Sequence, residues 1–539
     1  MLAALRHCRR LIHVGYILGK HRVLVPDPAA AELAPGVRRL LILVQGLTPR
    51  AKSGGQNVRD QARNKKPTAR RYGQRLADAL TELGPSYIKL GQLLATRPDI
   101  VGDQMAGDLQ HLQDRLPPFA VQTAWNALAQ EFGDTVDELF VHLGFPIAAA
   151  SIAQVHKATI HPDKTEARGF AAVKVLRPRI ESRMRKDLQS FLWVARRLER
   201  LGPEIKRLEP VKLVETLRAT TEAELDLRLE AAAASEFAER DRGRQLLRIP
   251  AVAWQHTSRR VLTTEWIEGI PLADLERLEA AGCDRKALAR QLLEAFLIHA
   301  LFDGYFHADL HQGNLLVDEE GRLTVLDFGI MGRLDKQTRL FLAEILFGFL
   351  TRDYTLLADV HFEAGYVPAH QSRAAFAQAL RSIGEPVFRK QAKEISMARL
   401  LEQLFETTRL FEMHMQPQLI LLQKTMVAAE GVARTLDPEI NFWETAEPIV
   451  QSWMEQSIGP EALVEDLTLS ARRAALALRH LPDHMASVAT LNSIITPDGL
   501  KLHPETAAAI ANGHNGGPRR WPWVFALAIV GVLLLLGGG

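Results

Sequence analysis

Cysteine is nearly missing from these 539 residues; only Cys8 and Cys283 are present. Two cysteines support neither a disulfide framework nor a thiolate metal site, and such usage suits a reducing compartment. Acid is missing from the N-terminus. None precedes Asp27, whereas Arg6, Arg9, Arg10, Lys20 and Arg22 are basic. Serine is absent before Ser53, unlike a serine-rich transit segment, and no apolar run with a small-residue cleavage site marks a secretory signal. Net charge is close to zero for the length, at +3, which argues against a nucleic-acid binder. Aromatics make up 6%. What is plentiful is Ala, Leu and Arg, so mostly helical structure is expected. No internal repeat is visible.

The two ends differ from the average. Leu2, Leu5, Ile12, Val14 and Ile17 alternate with the N-terminal bases. That fits a helix lying on an anionic membrane surface or, equally, a solvated basic helix. A second basic patch runs from Arg63 to Arg75. At the far end WPWVFALAIVGVLLLLGGG, Trp521 to Gly539, carries no charge. Its aliphatic part, Val524 to Leu536, is shorter than the ~20 residues that cross a bilayer comfortably. With the tryptophans and glycines it reads as a thin single span, and Arg519 and Arg520 put the preceding domain on the cytoplasmic side. A buried tail or a dimer contact is the other reading. ANGHNGGPRR before it reads as a tether.

Between the ends the apolar spacing is helical from Tyr72 to about Gln130, with a break at Gly84-Pro85. PIAAASIAQVHKATI and GFAAVKVLRP read as two antiparallel strands. Residues 180–245 return to a charged helical pattern. RRVLTTEWIEGIPL reads as a strand running into a turn. Helices follow from Leu272 to Asp303, then the loop HADLHQGN, then a hairpin LLVDEEGRLTVLDFG with Glu320-Gly321 at its tip. From Gln337 to about Leu500 the pattern is mainly helical.

The chemistry-bearing residues sit between the β-rich and the helical parts. His307-x-Asp309-x4-Asn314, followed by Asp327-Phe328-Gly329, has the spacing of a kinase catalytic loop and its metal-binding motif. Phosphoryl transfer spreads charge over phosphate oxygens that Mg²⁺ must bridge, and Mg²⁺ prefers hard oxygen ligands such as Asn314 and Asp327. Asp309 would orient or deprotonate an acceptor. Small-molecule phosphotransferases carry a similar loop, so this stretch alone leaves the acceptor open. Lys174, between valines on an expected strand, suits the phosphate-holding lysine. Its helical partner would come from Glu224, Asp226 and Glu230, of which Asp226 and Glu230 share a face at i,i+4. Where an ordinary kinase has a glycine-rich loop, this chain has Ala148, Ala149, Ala150 and Ser151. Alanine visits positive φ only at a cost, so this loop should be stiffer.

Together these stretches resemble the UbiB family of atypical kinases. The resemblance rests on KLGQ (Lys89, Gly91, Gln92), AAAS (Ala148 to Ser151), ELD (Glu224, Asp226), HADLHQGN, DFG and MQPQLILLQKTMVAAEGVARTLDP, Met415 to Pro438. It covers roughly residues 70–500. Gln312 stands where many relatives have Pro, and Ala233 where bacterial relatives often have Asn. The tail has room for one helix.

The resemblance implies an α+β, protein-kinase-like two-lobe fold. It would be mostly helical, with an N-terminal helical extension over the active cleft and a C-terminal transmembrane helix. The implied parts are a basic membrane-proximal segment (1–70), the extension (71–144), an N-lobe (145–268), a helical C-lobe (269–505), a linker (506–520) and an anchor (521–539). The implied catalytic residues are Asp309, Lys174 and Glu230. ATP would be held along Ile147, Ala148, Ala149, Ala150, Ser151, Ile152, Ala153, Gln154 and Val155, by Lys174, and at Glu265 and Ile267. Asn314 and Asp327 would hold Mg²⁺. Lys89, Gln92, Glu224 and Asp226 would form a regulatory cluster in the cleft. The implied activity is ATP hydrolysis in support of ubiquinone biosynthesis at the bacterial inner membrane, with the catalytic domain cytoplasmic. Expected partners are membrane lipids, prenylated quinone precursors, other ubiquinone-biosynthesis proteins and a second copy of the chain, but no nucleic acid. A lipid or small-molecule kinase and a nucleotide-dependent lipid-handling scaffold are the alternatives.

Overall fold

A computed structural model describes residues 2–23, 67–95, 97, 101–110, 112, 116–161, 169–200, 206, 209–388, 407, 410–413, 416–458, 495–496 and 499–500. The tether and apolar tail expected at 506–539 lie outside the described residues. Among those described, no helix is long and apolar enough to cross a membrane. The described chain forms two compact units. One runs to Ala232 and adds Ala251–Trp266; the other takes Ala233–Pro250 and the chain from Ile267.

In the first unit, α1 (Leu2–Lys20), α2 (Pro67–Leu83), α3 (Pro85–Ala95) and α4 (Asp103–Gln110) form a helical layer. α2 and α3 each open on proline, whose missing N–H is not needed in a first turn. Between them Gly84 has φ +102°, a conformation that favours glycine. Leu80, Leu83, Ile88, Leu94 and Leu109 make the core, joined by Ile17 and Val23. The end of α1 therefore packs Ile17 on protein, while Ile12 and Tyr16 stay exposed. Two of its bases, Arg10 and Lys20, reach protein acids. Lys20 and His21 both meet Glu82, whose pKa they lower, and Arg10 Nε lies 3.1 Å from Asp187 Oδ1.

The same unit holds an antiparallel sheet of four strands, β1 (Phe140–Ala149), β2 (Ala153–Ile160), β3 (Phe170–Leu176) and β4 (Val261–Glu265), in that order. The run read from sequence as one strand is two, β1 and β2, folded at the alanine turn. Alternation then sorts β3. Ala171, Val173 and Val175 are buried against Ala124 and Leu128 of α5 (Val121–Phe132). Lys174 therefore takes the opposite face, in register with Val155 and Leu262. α6 (Ile180–Leu198), α7 (Pro210–Glu224) and α8 (Leu227–Asp241) follow β3, and α8 is divided between the units at Ala232.

The second unit contains β5 (Gly269–Pro271), α9 (Leu275–Ala280), α10 (Arg285–Ile298), β6 (Tyr305–His307), β7 (Leu315–Asp318), β8 (Leu323–Val325) and β9 (Met331–Arg333). After these come α11 (Lys336–Thr351), α12 (Tyr354–Glu363), α13 (Arg373–Phe388), α14 (Pro417–Leu436) and α15 (Phe442–Ile458). Asp274, Asp284, Asp335 and Asp353 each cap a helix by accepting from backbone N–H groups of its first turn. β7 and β8 form the expected hairpin, with β5 beside β7, and β6 pairs with β9.

His361 in α12 is buried against Phe376 and shares its Nδ1 with Leu357 O at 2.7 Å. Burial pushes its pKa down to about 4. The unfolded chain takes up this proton below about 6.5, whereas the folded chain does not until about 4. Stability present at neutral pH is therefore lost as pH falls through that window, by about 3 kcal/mol at most. His361→Phe is expected to flatten the fall of melting temperature between pH 6.5 and 4.5. Parallel curves for parent and variant would refute the assignment.

Candidate active site

The first unit brings together two of the expected pairs. Lys174 Nζ donates to both carboxylate oxygens of Glu230, at 2.7 and 2.9 Å. Glu230 lies in the first turn of α8, where the helix dipole favours a carboxylate. The sequence reading put Asp226 and Glu230 on one helical face. The structure breaks the chain there instead: α7 ends at Glu224 and α8 starts at Leu227. Glu224 thereby turns to the extension, with Lys89 Nζ 2.8 Å from its Oε2. Asp226 goes elsewhere. Its oxygens accept from Arg228 Nε and Nη2 at 2.8 and 2.6 Å, and that contact holds its pKa below the ordinary carboxylate value. Gln92, one turn past Lys89, is half-buried.

The helix carrying Lys89 buries Tyr87, Ile88, Gly91, Leu94 and Ala95, while Leu90 and Leu93 are only half-buried. A Cβ on Gly91 would lie 2.7 Å from Leu80 and Leu112 methyls, so this motif glycine permits close packing against α2. Ser86 Oγ, on the same helix, donates to Asp187 at 2.8 Å. The carboxylate of α6 thus joins α3 to Arg10 of α1.

The alanine loop joins β1 to β2. Ala148 pairs with Val155 and Ala149 with Gln154, and Ala150 N donates to Ala153 O at 2.9 Å. Ile147 is 56% exposed. Ile152 and Ala153 are consumed in an apolar cluster with Leu227 and Ala231 of α8. Gln154 was expected among the ATP contacts, but its side chain turns to the face opposite Lys174. There it donates to Phe119 O and accepts from Phe119 N, and it also bonds His156. Ser151 is fully buried, and its Oγ has no partner among the described residues. Arg177 donates to the Ala150 carbonyl through Nε (3.0 Å) and Nη2 (2.9 Å). Glu265 closes β4, its N–H bonded to Ala251 O. Ile267 is half-buried at the start of the second unit.

The catalytic-loop residues belong to the second unit. His307 is buried at the end of β6, and burial pushes its pKa down. Neutral, it serves both sides of the site. Nδ1 accepts from Asp309 N at 3.2 Å, and Nε2 meets the Asp327 carbonyl. The hairpin register, Leu315 opposite Val325, continues through Leu326 N donating to Asn314 O. That bond brings Asn314 beside the chain just before Asp327. Asn314 Nδ2 donates to Asp309 O at 3.1 Å, so Oδ1 is the atom presented outward. Asp327 Oδ1 accepts from Gly329 N at 2.9 Å. The Asp309 side chain is 34% exposed, with His311 Nε2 at 3.6 Å.

This donor set suits Mg²⁺. It supplies an amide oxygen and a carboxylate, both hard, and no sulfur. No group of three or more His, Cys, Asp or Glu side chains gathers among the described residues. A cation would therefore draw its remaining ligands from phosphate and water, as nucleotide-bound Mg²⁺ does.

Some supports carried no sequence signal. Thr425 Oγ1 of α14 donates to Ala308 O at 3.1 Å. Phe328 stacks between His307 and Phe237 of α8, with ring centroids 5.5 and 5.8 Å away. Glu236, one residue before Phe237, grips Arg333 of β9 and Arg240, and Arg333 chiefly holds its pKa down at about 2. A lone Thr, Phe or Arg on a helix or loop reads equally well as surface or core, and only the fold chooses.

The model of the ABC1 atypical kinase-like domain matches residues 111–361, and that of the UbiB helical domain matches residues 380–441. The chain is 42% identical over 400 residues to a probable protein kinase UbiB of Marinobacter nauticus, covering 73% of this chain and 72% of that one. It is 36% identical over 491 residues to a probable protein kinase UbiB of Xylella fastidiosa, covering 90% and 84%. Among solved structures, the Rv3197–erythromycin complex from Mycobacterium tuberculosis matches with a TM-score of 0.47 and 24% identity, over 70% of this chain and 93% of that one.

Proposed function

The chain belongs to the UbiB family of atypical kinases, and on that premise we propose that it binds and hydrolyses MgATP in support of ubiquinone biosynthesis at the bacterial inner membrane. The observation that carries the proposal is the placing of Asn314 beside the chain just before Asp327 by the Leu326 N–Asn314 O bond, with Asp327 tied to Asp309 through neutral His307. Mg²⁺, when bound, supplies neutralisation of the phosphate oxygens. Lys174 holds phosphate and is itself held by Glu230. Asp309 orients a water or hydroxyl and takes up its proton. In this reading prenylated lipid precursors are the molecules acted on, and residues 506–539 tether the chain to the membrane.

Turnover of ATP is measured with and without liposomes carrying phenolic prenyl lipids. Release of free phosphate that rises with these lipids is expected, with no labelled lipid. Residues 506–539 are removed in parallel; the shortened chain is expected in the soluble fraction with nucleotide binding intact. A lipid or small-molecule kinase is the second reading, favoured by the partly exposed Asp309 carboxylate. A phosphorylated lipid product decides for it, and absence of any ATP turnover under all conditions overturns both.

A further inference from the structure

The Arg177 guanidinium lies where three pieces of the first unit meet. Its Nε and Nη2 donate to Ala150 O at 3.0 and 2.9 Å. Nη1 donates to Pro117 O at 2.9 Å, and Nη2 also reaches Leu116 O at 3.2 Å. The group lies 5.7 Å from the Phe119 ring centroid. Phe119 is itself pinned at both backbone atoms by Gln154. Arg177 N donates to Ile152 O at 2.8 Å, so backbone and side chain together grip the alanine loop on both sides of Ser151.

We propose that Arg177 is the positioning residue of the alanine loop, setting nucleotide affinity by fixing the Ala150–Ser151 peptide and joining it to the segment that leads in from the helical extension. The proposal rests on the nucleotide-binding reading above. A trans peptide is planar, so its C=O and N–H point in opposite directions. With the Ala150 carbonyl held on Arg177, the Ser151 N–H is directed away from the guanidinium. Ser151 N has no hydrogen-bond partner among the described residues. This leaves one buried backbone donor of fixed direction in a loop that lacks glycine. A glycine-rich loop finds such a donor by flexing; here the fork of a guanidinium, which matches several acceptors at once, supplies the direction. The bonds to Leu116 and Pro117 make the same side chain sensitive to how the extension is seated.

The test uses the full chain and two variants. Arg177→Gln removes the charged fork, and Arg177→Lys keeps the charge but reaches fewer carbonyls. MgATP affinity is read by calorimetry, with KM and kcat from turnover and hydrogen exchange of amides 148–153 in nucleotide-free protein. Arg177→Gln is expected to weaken MgATP binding and raise KM about tenfold. It should change kcat much less and speed exchange at the loop amides. Arg177→Lys should fall between parent and Arg177→Gln, and it decides the matter if Arg177→Gln does not fold. An unchanged affinity and unchanged loop exchange in a folded variant overturn the proposal, whatever happens to melting temperature. A parent that binds no MgATP overturns the nucleotide reading instead, while the exchange measurement still tests the clamp.

Discussion

Asp327→Asn is expected to cut MgATP turnover by roughly 10²–10³-fold, the scale seen when a group stabilising transition-state charge is removed. Melting temperature should scarcely move. The reason lies in how this side chain is used. Asn still offers an oxygen to Gly329 N, so the loop keeps the 2.9 Å bond. What disappears is the negative charge, and a hard divalent cation loses its anionic protein ligand. His307 bonds the Asp327 backbone rather than its side chain, so the link to Asp309 survives. Calorimetry with and without Mg²⁺ separates the effects: metal-dependent binding should vanish while metal-free binding persists. Lys174→Ala should also weaken binding, because Glu230 then has no ammonium to present. Unchanged MgATP affinity in both variants would falsify the kinase reading of these residues.

Lys89→Ala should produce the second large effect, on stability and on the fate of the phosphoryl group. Lys89 and Glu224 lie 2.8 Å apart, with side chains only 15% and 16% exposed. Breaking a fully buried pair costs 3–5 kcal/mol. The residual exposure puts this one below that range, at about 2–3 kcal/mol. At ~2–4 °C per kcal/mol in a domain of this size, melting should drop by at least ~4 °C. Ser86 on the same helix remains tied to Asp187, so the helix should shift rather than melt. ATP should still bind, since Lys174 and Asp327 are untouched, and self-labelling should appear if the extension restrains phosphoryl transfer. Adding Glu224→Gln should recover part of the lost stability, because the stranded carboxylate is then neutral. Equal melting, turnover and self-labelling in parent and variant would remove Lys89 from the site.

The N-terminal helix shows where local pattern was insufficient. Bases and aliphatics in α1 fit lipid or solvent equally, because both readings use only the segment itself. Glu82, Asp187 and the core that takes Ile17 are 60 or more residues away in sequence, and they claim Lys20, Arg10 and Ile17 for protein contacts. ELDLRLE shows the same limit at shorter range. Its spacing suits a continuous helix, yet the chain breaks at Leu225–Asp226. That break sends Glu224 to Lys89, Asp226 to Arg228 and Glu230 to Lys174. Helical propensity differs by only tenths of a kcal/mol among such residues, so the two largely buried pairs, Glu224–Lys89 and Glu230–Lys174, outweigh it.

The sequence by itself determined the hairpin before Asp327, the break at Gly84-Pro85 and the spacing of the oxygen-bearing side chains from Asp309 to Asp327. Each is written within a few residues: turn chemistry at Gly321, a proline behind a glycine, and oxygen-bearing side chains at fixed spacing. It also determined that Lys174 stands on a strand, since its flanking valines must be buried and alternation does the rest. Only the tertiary structure decided which acid meets which base, that the Gln154 side chain bonds Phe119, and that Arg177 grips the alanine loop. Those outcomes depend on groups brought together from distant parts of the chain. A charged or amide side chain has several partners of nearly equal worth in water, and burial beside one of them makes the choice.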